Sequence, residues 1–269
     1  CVVDASGEVR GVDWHFNAWG GLDGGLYHPW DQDDLVARKV MEVEGIDGYR
    51  APFVMEGGAI HVDGEGTVLV TEECLLNRNR NPGLARADIE AFLCAYLGVR
   101  TVVWLGRGVV NDETDGHVDN LCCFARPGEV LLSWTDNRRD PQWVISNDAL
   151  ERLMAARDAK GRRLKVHKLP SPGPLRMTAS EASGVQSGAA SKARRAGERL
   201  AASYVNFYLA NGGVVMPLLD RRRDAEAAEV LRRVFRNRSV VGVAAREILL
   251  GGGNIHCITQ QVPRAGRGR

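Results

Sequence analysis

Apolar and polar positions along this chain fall into a pattern that recurs. Three stretches open at or beside a glycine, run apolar and end in acidic or polar residues: "EGTVLVTEE" from Glu65, "GEVLLSWTD" from Gly128 and "GGVVMPLLD" from Gly212. That is the grammar of a strand leaving a tight turn. A stretch of helical period follows each one. Ile89, Phe92, Leu93 and Tyr96 share a face in "ADIEAFLCAYLG", as do Leu150, Leu153 and Met154 in "NDALERLMAARD" and Val230, Leu231 and Val234 in "AEAAEVLRRVF". Asn147 and Asp224 are the expected N-caps. Each helix hands on to another short strand: "TVVWLG", "LKVHKLP" and "SVVGVAA".

Ahead of each glycine turn the pattern predicts a further strand, one with unusual polar content. These are "EGGAIHV" from Glu56, "DGHVDNLCCF" from Asp115 and "AASYVNFYL" from Ala201, with "GGGNIHCI" from Gly251 as a fourth. The opening "CVVDASGEVRGVDW" matches "IHVDGEGTVLVTEE", aligning Asp4 with Asp63 and Gly7 with Gly66. The unit is therefore strand, turn, strand, helix, strand, in about five copies with the first incomplete. Repetition at this scale implies a closed or stacked α/β architecture, and a propeller would bring the polar segments together at one centre. An open doubly wound sheet competes, but its strands should be plain apolar runs. Residues 171–198 read as a loop inserted into this single domain of residues 1–269.

Bulk properties narrow the function. In 269 residues, 35 Lys and Arg stand against 34 Asp and Glu, which leaves no electrostatic case for nucleic acid or an anionic membrane. The basic clusters at Arg221–Arg223 and in the tail "RAGRGR" are short and read as solvated surface. No apolar run approaches the ~20 residues of a membrane helix, and no signal-peptide pattern opens the chain. The six cysteines, at 1, 74, 94, 122, 123 and 257, form no C-x-x-C pair. Free thiols in the reducing cytoplasm are the simpler reading.

Cys257 stands behind a glycine run that admits backbone N–H groups and a substrate close to the sulfur. Cys74, Cys94, Cys122 and Cys123 lie within apolar patterns and read as core. The segment "DETDGHVDN" packs Asp112, Glu113, Asp115, His117 and Asp119 together. If "GHVDN" is a strand, His117 and Asp119 point to one face as an acid/base unit. His61 and His256 alternate away from their neighbouring key residues, so no metal site is expected; His15, His28 and His167 read as structural. Glu56 joins the group through its place in the repeat. A thiol, a histidine and carboxylates could describe a cysteine protease, but negative charge beside a thiol hinders its ionisation. The set makes better sense around a cation, and a guanidinium offers a fork of donors that matches carboxylates. Attack on a guanidinium carbon would also need a histidine to protonate departing ammonia.

These residues carry a family resemblance. "FVMEGGAIHVDGEGTVLVTEECLLNRNRNP", "GVVNDETDGHVDNLCCFARPGEVLLSWTD", "GERLAASYVNFYLANGG" and "REILLGGGNIHCITQQ" resemble the agmatine deiminases of the guanidine-modifying (pentein) superfamily, over essentially all of residues 1–263. The resemblance implies a five-bladed α/β propeller of ββαβ units, with the first repeat incomplete here. It implies hydrolysis of agmatine to N-carbamoylputrescine and ammonia, in polyamine synthesis, with no metal or organic cofactor. Cys257 would be the nucleophile, forming an amidino-cysteine; His117 the proton shuttle; Asp119 a guanidinium ligand; and Glu56 the residue orienting His117 and contributing to substrate binding. Asp115 and Asn254 lie in matching motifs without an assigned role, and many members act as homodimers. The family's Trp-x-Arg-Asp-x-Gly-Pro motif, which supplies a second guanidinium carboxylate, is not matched. The expectation is an N-terminally shortened chain whose activity falls by about a hundredfold or more, since a lost charged partner costs ~3 kcal/mol. Two alternatives remain open at this point: deimination of another guanidino compound such as arginine, and a non-catalytic binding module of the same fold.

Overall fold

The computed structural model describes residues 1–185 and 190–265. Residues 186–189, within the expected inserted loop, and residues 266–269, the end of the basic tail, lie outside the described residues. The described residues build four three-stranded sheets, one per repeat. The first holds β1 (Val2–Val3), β2 (Val9–His15) and β3 (Gly48–Val54). The second holds β4 (His61–Val62), β5 (Thr67–Thr71) and β6 (Thr101–Leu105). Next come β7 (Cys122–Arg126), β8 (Glu129–Trp134) and β9 (Lys165–Pro170). The fourth holds β10 (Tyr208–Ala210), β11 (Gly213–Leu218) and β12 (Ser239–Ala244).

In every sheet the first pair is antiparallel and the second parallel. A parallel neighbour requires a crossover. The helices Val36–Glu44, Arg86–Leu97, Pro141–Ala155 and Asp224–Val234 supply it. The mixed α/β fold of ββαβ units is as the sequence predicts, but the count differs. Four units are complete, the first among them, and it is the C-terminal copy around Gly251–Ile258 that carries no strand. The alignment of the first two hairpins holds in detail. Asp4 Oδ1 accepts the backbone N–H groups of Ser6 and Glu8, and Asp63 Oδ1 those of Glu65 and Thr67, the same two offsets.

The central strands read as apolar runs because they are buried on both faces. Val68 and Val70 of β5 pack with Phe53, Met55 and Ile89, between the first and second units. Leu69 points the other way, toward Leu132 and Ile145 of the third. Leu131 of β8 likewise turns to Val214, Met216 and Leu231 of the fourth. Consecutive units thus share their cores, and the polar segments that precede each hairpin are held where the units meet.

Two helix starts differ from expectation. Asp140 caps Pro141–Ala155 by accepting from the Gln142 N–H, so Asn147 lies inside the helix. Arg223 is the N-cap of Asp224–Val234, while Asp224 accepts from the Leu219 and Asp220 N–H groups of the preceding turn. Within residues 171–198 a short helix, Ala179–Ser183, is closed by a Thr178–Glu181 capping box. All six cysteines are free; Cys94, expected in the core, is only half buried. No helix of the described residues is long and apolar enough to cross a membrane.

Candidate active site

Three of the polar segments become strands only at their ends, in β4, β7 and β10, and the residues of interest lie in turns outside those strands. Glu56 ends an extended stretch and is followed by a tight 3-10 turn, Gly57–Ala59, before β4. His117 is the N-cap of a short helix, Val118–Leu121, so Asp119 lies in its first turn. Gly116 at φ 79° sets up that entry. His117 and Asp119 therefore do not share a strand face, yet both come to one place. A Cβ on Gly58 would stand 2.5 Å from His117 Nδ1 and 2.9 Å from Asp119 Oδ2. Only a glycine lets the backbone approach both groups so closely. Cys257 sits in another 3-10 turn, His256–Ile258. Gly253 presses on it: a Cβ there would be 2.8 Å from the sulfur.

Glu56 and His117 form one half of the site. Glu56 Oε1 accepts from Arg80 Nε at 2.7 Å, with both side chains buried. Arg80 is held in turn by Asp115 and Asn79, each at 2.8 Å, and by the Thr114 carbonyl. His117 Nε2 stands 3.5 Å from Glu56 Oε2 and makes no hydrogen bond. Burial opposes ionisation of Glu56, but His117 and Arg80 outweigh it and hold the carboxyl below its ordinary value. Burial also opposes a charged His117, and Cys74 and Glu56 together outweigh it, raising this pKa well above that of a free imidazole.

Asp119, Cys257 and Asn206 form the other half. Asp119 Oδ2 accepts from His256 Nδ1 at 2.9 Å and lies 3.4 Å from Cys257 Sγ. Burial opposes its ionisation, but His256 leads the groups that keep the carboxyl below its ordinary value. Cys257 is exposed as a residue, while its sulfur is crowded. That crowding, and then the Asp119 carboxylate, push the thiol pKa well up; the Asn254 N–H and Asn206 work against the rise. Asn206, wholly buried, donates from Nδ2 to the sulfur at 3.2 Å.

Five of the six buried side-chain atoms that lack a partner among the described residues belong to this neighbourhood or its motifs. They are His117 Nε2, Asp119 Oδ1, Asn120 Oδ1 and both amide atoms of Asn254. Buried polar groups are normally satisfied, and these five belong to residues of the site or to residues next to it in sequence. Behind Asp119 and His256 a cavity of about 150 Å³ runs past His61, Cys123 and Val205.

The four residues expected from the sequence, Glu56, His117, Asp119 and Cys257, are thus brought to adjoining positions. Arg80, Asn206 and His256 join them without a sequence signal of their own. Arg80 sits in "NRNRNP", but nothing local shows that it turns inward. Glu56, Cys74 and His117 lie within 4.8 Å of one another. Their donor set could take a soft cation, but Glu56 already carries the Arg80 guanidinium.

Comparison with known proteins gives this arrangement its place. The family of Porphyromonas-type peptidyl-arginine deiminases matches residues 1–263. This chain belongs to that family. An agmatine deiminase of Ectopseudomonas mendocina is 59% identical over 263 residues, covering 97% of this chain and 72% of that protein. An agmatine deiminase of Pseudomonas aeruginosa is 59% identical with the same coverage. The solved structure of the agmatine deiminase of Enterococcus faecalis superposes with a TM-score of 0.92 at 48% identity, covering 97% of this chain and 71% of that one. The residues matched by the family include all four complete units and the turn that carries Cys257.

Proposed function

We propose that this chain is an agmatine deiminase, converting agmatine and water to N-carbamoylputrescine and ammonia. The observation that carries the reading is the convergence of a thiol, a buried histidine and two carboxylates on one site, with unpartnered polar atoms around it. Identity near 59% to agmatine deiminases supports the substrate.

The chemistry follows from the electrostatics. Before a cation binds, burial of the sulfur and then the Asp119 carboxylate favour the thiol form of Cys257. A guanidinium bound to Asp119 cancels that charge and lets the thiol release its proton to solvent, so that the thiolate forms beside the carbon it attacks. A C–S bond forms, and protonated His117 gives its proton to the departing nitrogen as the C–N bond breaks and ammonia leaves. The histidine then takes a proton from water. The resulting hydroxide adds to the amidino carbon, and the C–S bond breaks to return the sulfur as thiolate while the added hydroxyl gives its proton to solvent and the ureido product leaves. Cys74 and Glu56, the latter fixed by Arg80, favour the charged form of His117 that the first step uses. A cytoplasmic setting and assembly as a homodimer belong to the same reading; the free thiols support the first and family resemblance the second.

The test is product analysis with agmatine, free arginine and an arginine-containing peptide supplied separately to the chain and to Cys257→Ala. N-carbamoylputrescine and ammonia from agmatine are expected. The substitution should lower the rate at least ~10⁴-fold, as loss of a covalent nucleophile does. Turnover of arginine or the peptide in place of agmatine would reassign the substrate. Turnover by Cys257→Ala would reject the mechanism, and no turnover of any of the three would leave a binding module.

A further inference from the structure

A thiol that lies 3.4 Å from a buried carboxylate needs a counterweight to ionise. The described residues offer two N–H donors to Cys257 Sγ, the Asn254 backbone and the Asn206 side chain. Asn206 is 51 residues distant in sequence from the cysteine and wholly buried. Its Oδ1 accepts from the backbone N–H groups of His256 at 3.0 Å and Cys257 at 3.3 Å. Its own carbonyl accepts from His256 N at 3.2 Å. Those backbone donors fix which end of the carboxamide is oxygen, and so leave Nδ2 turned to the sulfur. One side chain thus anchors the turn that carries the nucleophile and aims an N–H at its reacting atom.

We propose that Asn206 is a positioning residue for the reaction, holding Cys257 in its turn and stabilising its thiolate through the Nδ2–H···S hydrogen bond. The proposal rests on the reading of Cys257 as the nucleophile of a deiminase. In the thiol form the proton can face Asp119 Oδ2, or Asn206 Oδ1 at 3.5 Å. Once the proton leaves, the acceptors repel the sulfur and the Nδ2 donor is the side-chain group that still favours it. Low local dielectric makes such a bond stronger than it would be in water. A neutral amide does this without a permanent positive charge, which would repel a cationic substrate.

The test separates donor, charge and scaffold. Asn206→Asp keeps the acceptor for both backbone N–H groups and removes the donor, while Asn206→Ala removes donor and acceptor without adding charge. For each, the rate of iodoacetamide alkylation at Cys257 is followed by peptide mass spectrometry across pH, beside the melting temperature. The expected result in both variants is a midpoint displaced upward by at least about one pH unit, a tenfold change in thiolate fraction. With agmatine, kcat should fall by about ten- to a hundredfold at neutral pH with KM within about twofold, and recover as pH rises. A folded Asn206→Ala with an unchanged midpoint overturns the proposal, even if Asn206→Asp moves, because charge alone then explains the shift. A lower melting temperature with no change in midpoint assigns a structural role only and also overturns it. If Asn206→Ala does not fold, Asn206→Ser takes its place under the same criterion. The alkylation midpoint needs no turnover. An enzyme inert toward agmatine would reject the functional reading while this measurement still decided the role of Asn206.

Discussion

Around Glu56 and His117 the side chains are braced by charge, whereas around Cys257 they are braced by a carboxamide and backbone N–H groups. In the first region Arg80 ties Glu56 to Asp115, and the imidazole stands against the same carboxylate. In the second, Asn206 holds the turn and Asp119 is shared between His256 and the thiol. Under the mechanism proposed above, the difference matches what each would have to do. A proton donor has to stay charged while buried, which needs a fixed counter-charge. A nucleophile has to switch charge when the substrate arrives, and a fixed cation beside it would leave it ionised and exposed to oxidation.

Removing the brace from the charged region should have the largest effect. Arg80→Met leaves Glu56 and Asp115 without their cation, and an uncompensated buried carboxylate costs about 3–5 kcal/mol. Chemical denaturation should register that loss as a lower midpoint with little change in slope. Asn206→Ala, which removes a neutral carboxamide and leaves no buried charge unpaired, should cost clearly less. Equal losses would show that the two regions are not held by different means.

Gly58 is where the regions touch, so it tests whether their spacing matters. Gly58→Ala places a methyl within contact of both His117 Nδ1 and Asp119 Oδ2 and has to push one of them aside. A displacement of about 1 Å in a catalytic group costs on the order of a hundredfold in rate. Steady-state assays should show that fall in kcat, with a far smaller effect from Gly57→Ala, where a Cβ meets nothing within 4 Å. Comparable losses at the two glycines would point to the turn itself rather than to the contact.

The units of the fold are legible in the sequence because each central strand and crossover helix buries apolar residues at its own period. Val68, Leu69 and Val70 read as one run and are buried on both faces of β5. The polar segments read as strands along their whole length, yet their reactive residues sit in turns outside the short strands they contain, for a related reason. His117, Asp119 and Cys257 sit in single turns, too short for any period to form, and Gly58 and Gly253 act through contacts that no local pattern records. The reacting groups are legible as chemistry, since a thiol, an imidazole and carboxylates are scarce in apolar surroundings. Their supports are not. Arg80 looks like one more arginine among several, Asn206 is a lone amide in an apolar stretch, and His256 is hidden by a strand alternation that does not exist there.

Asp119→Asn should divide the two activities of Cys257 and give a smaller change of opposite signs. The carboxylate raises the thiol pKa, so its amide should speed alkylation by iodoacetamide about tenfold at neutral pH. Deimination should fall, because the guanidinium loses its partner. Slower alkylation in the variant would mean that Asp119 orients the sulfur more than it suppresses the thiolate.

The pH dependence of stability is the finest contrast. Glu56 has its pKa held below the ordinary 4.5, so its contribution is complete above about that pH and is lost as pH falls through the lower folded value. His117 is displaced the other way, above its ordinary 6.5; its contribution is complete below that pH and is lost as pH rises through the raised value. Both are in place between 4.5 and 6.5. The melting-temperature gap between the native chain and Glu56→Gln should therefore be widest in that interval and narrow on either side. For a chain of this size about 2–4 °C corresponds to 1 kcal/mol, so the change is small but measurable. Asn206→Ala, which removes no charged group, should show a gap that stays nearly flat over the same range. A flat gap for Glu56→Gln as well would mean that the Glu56–His117 contact does not hold its charges in the folded chain, and the distinction between the two regions would lose its electrostatic basis.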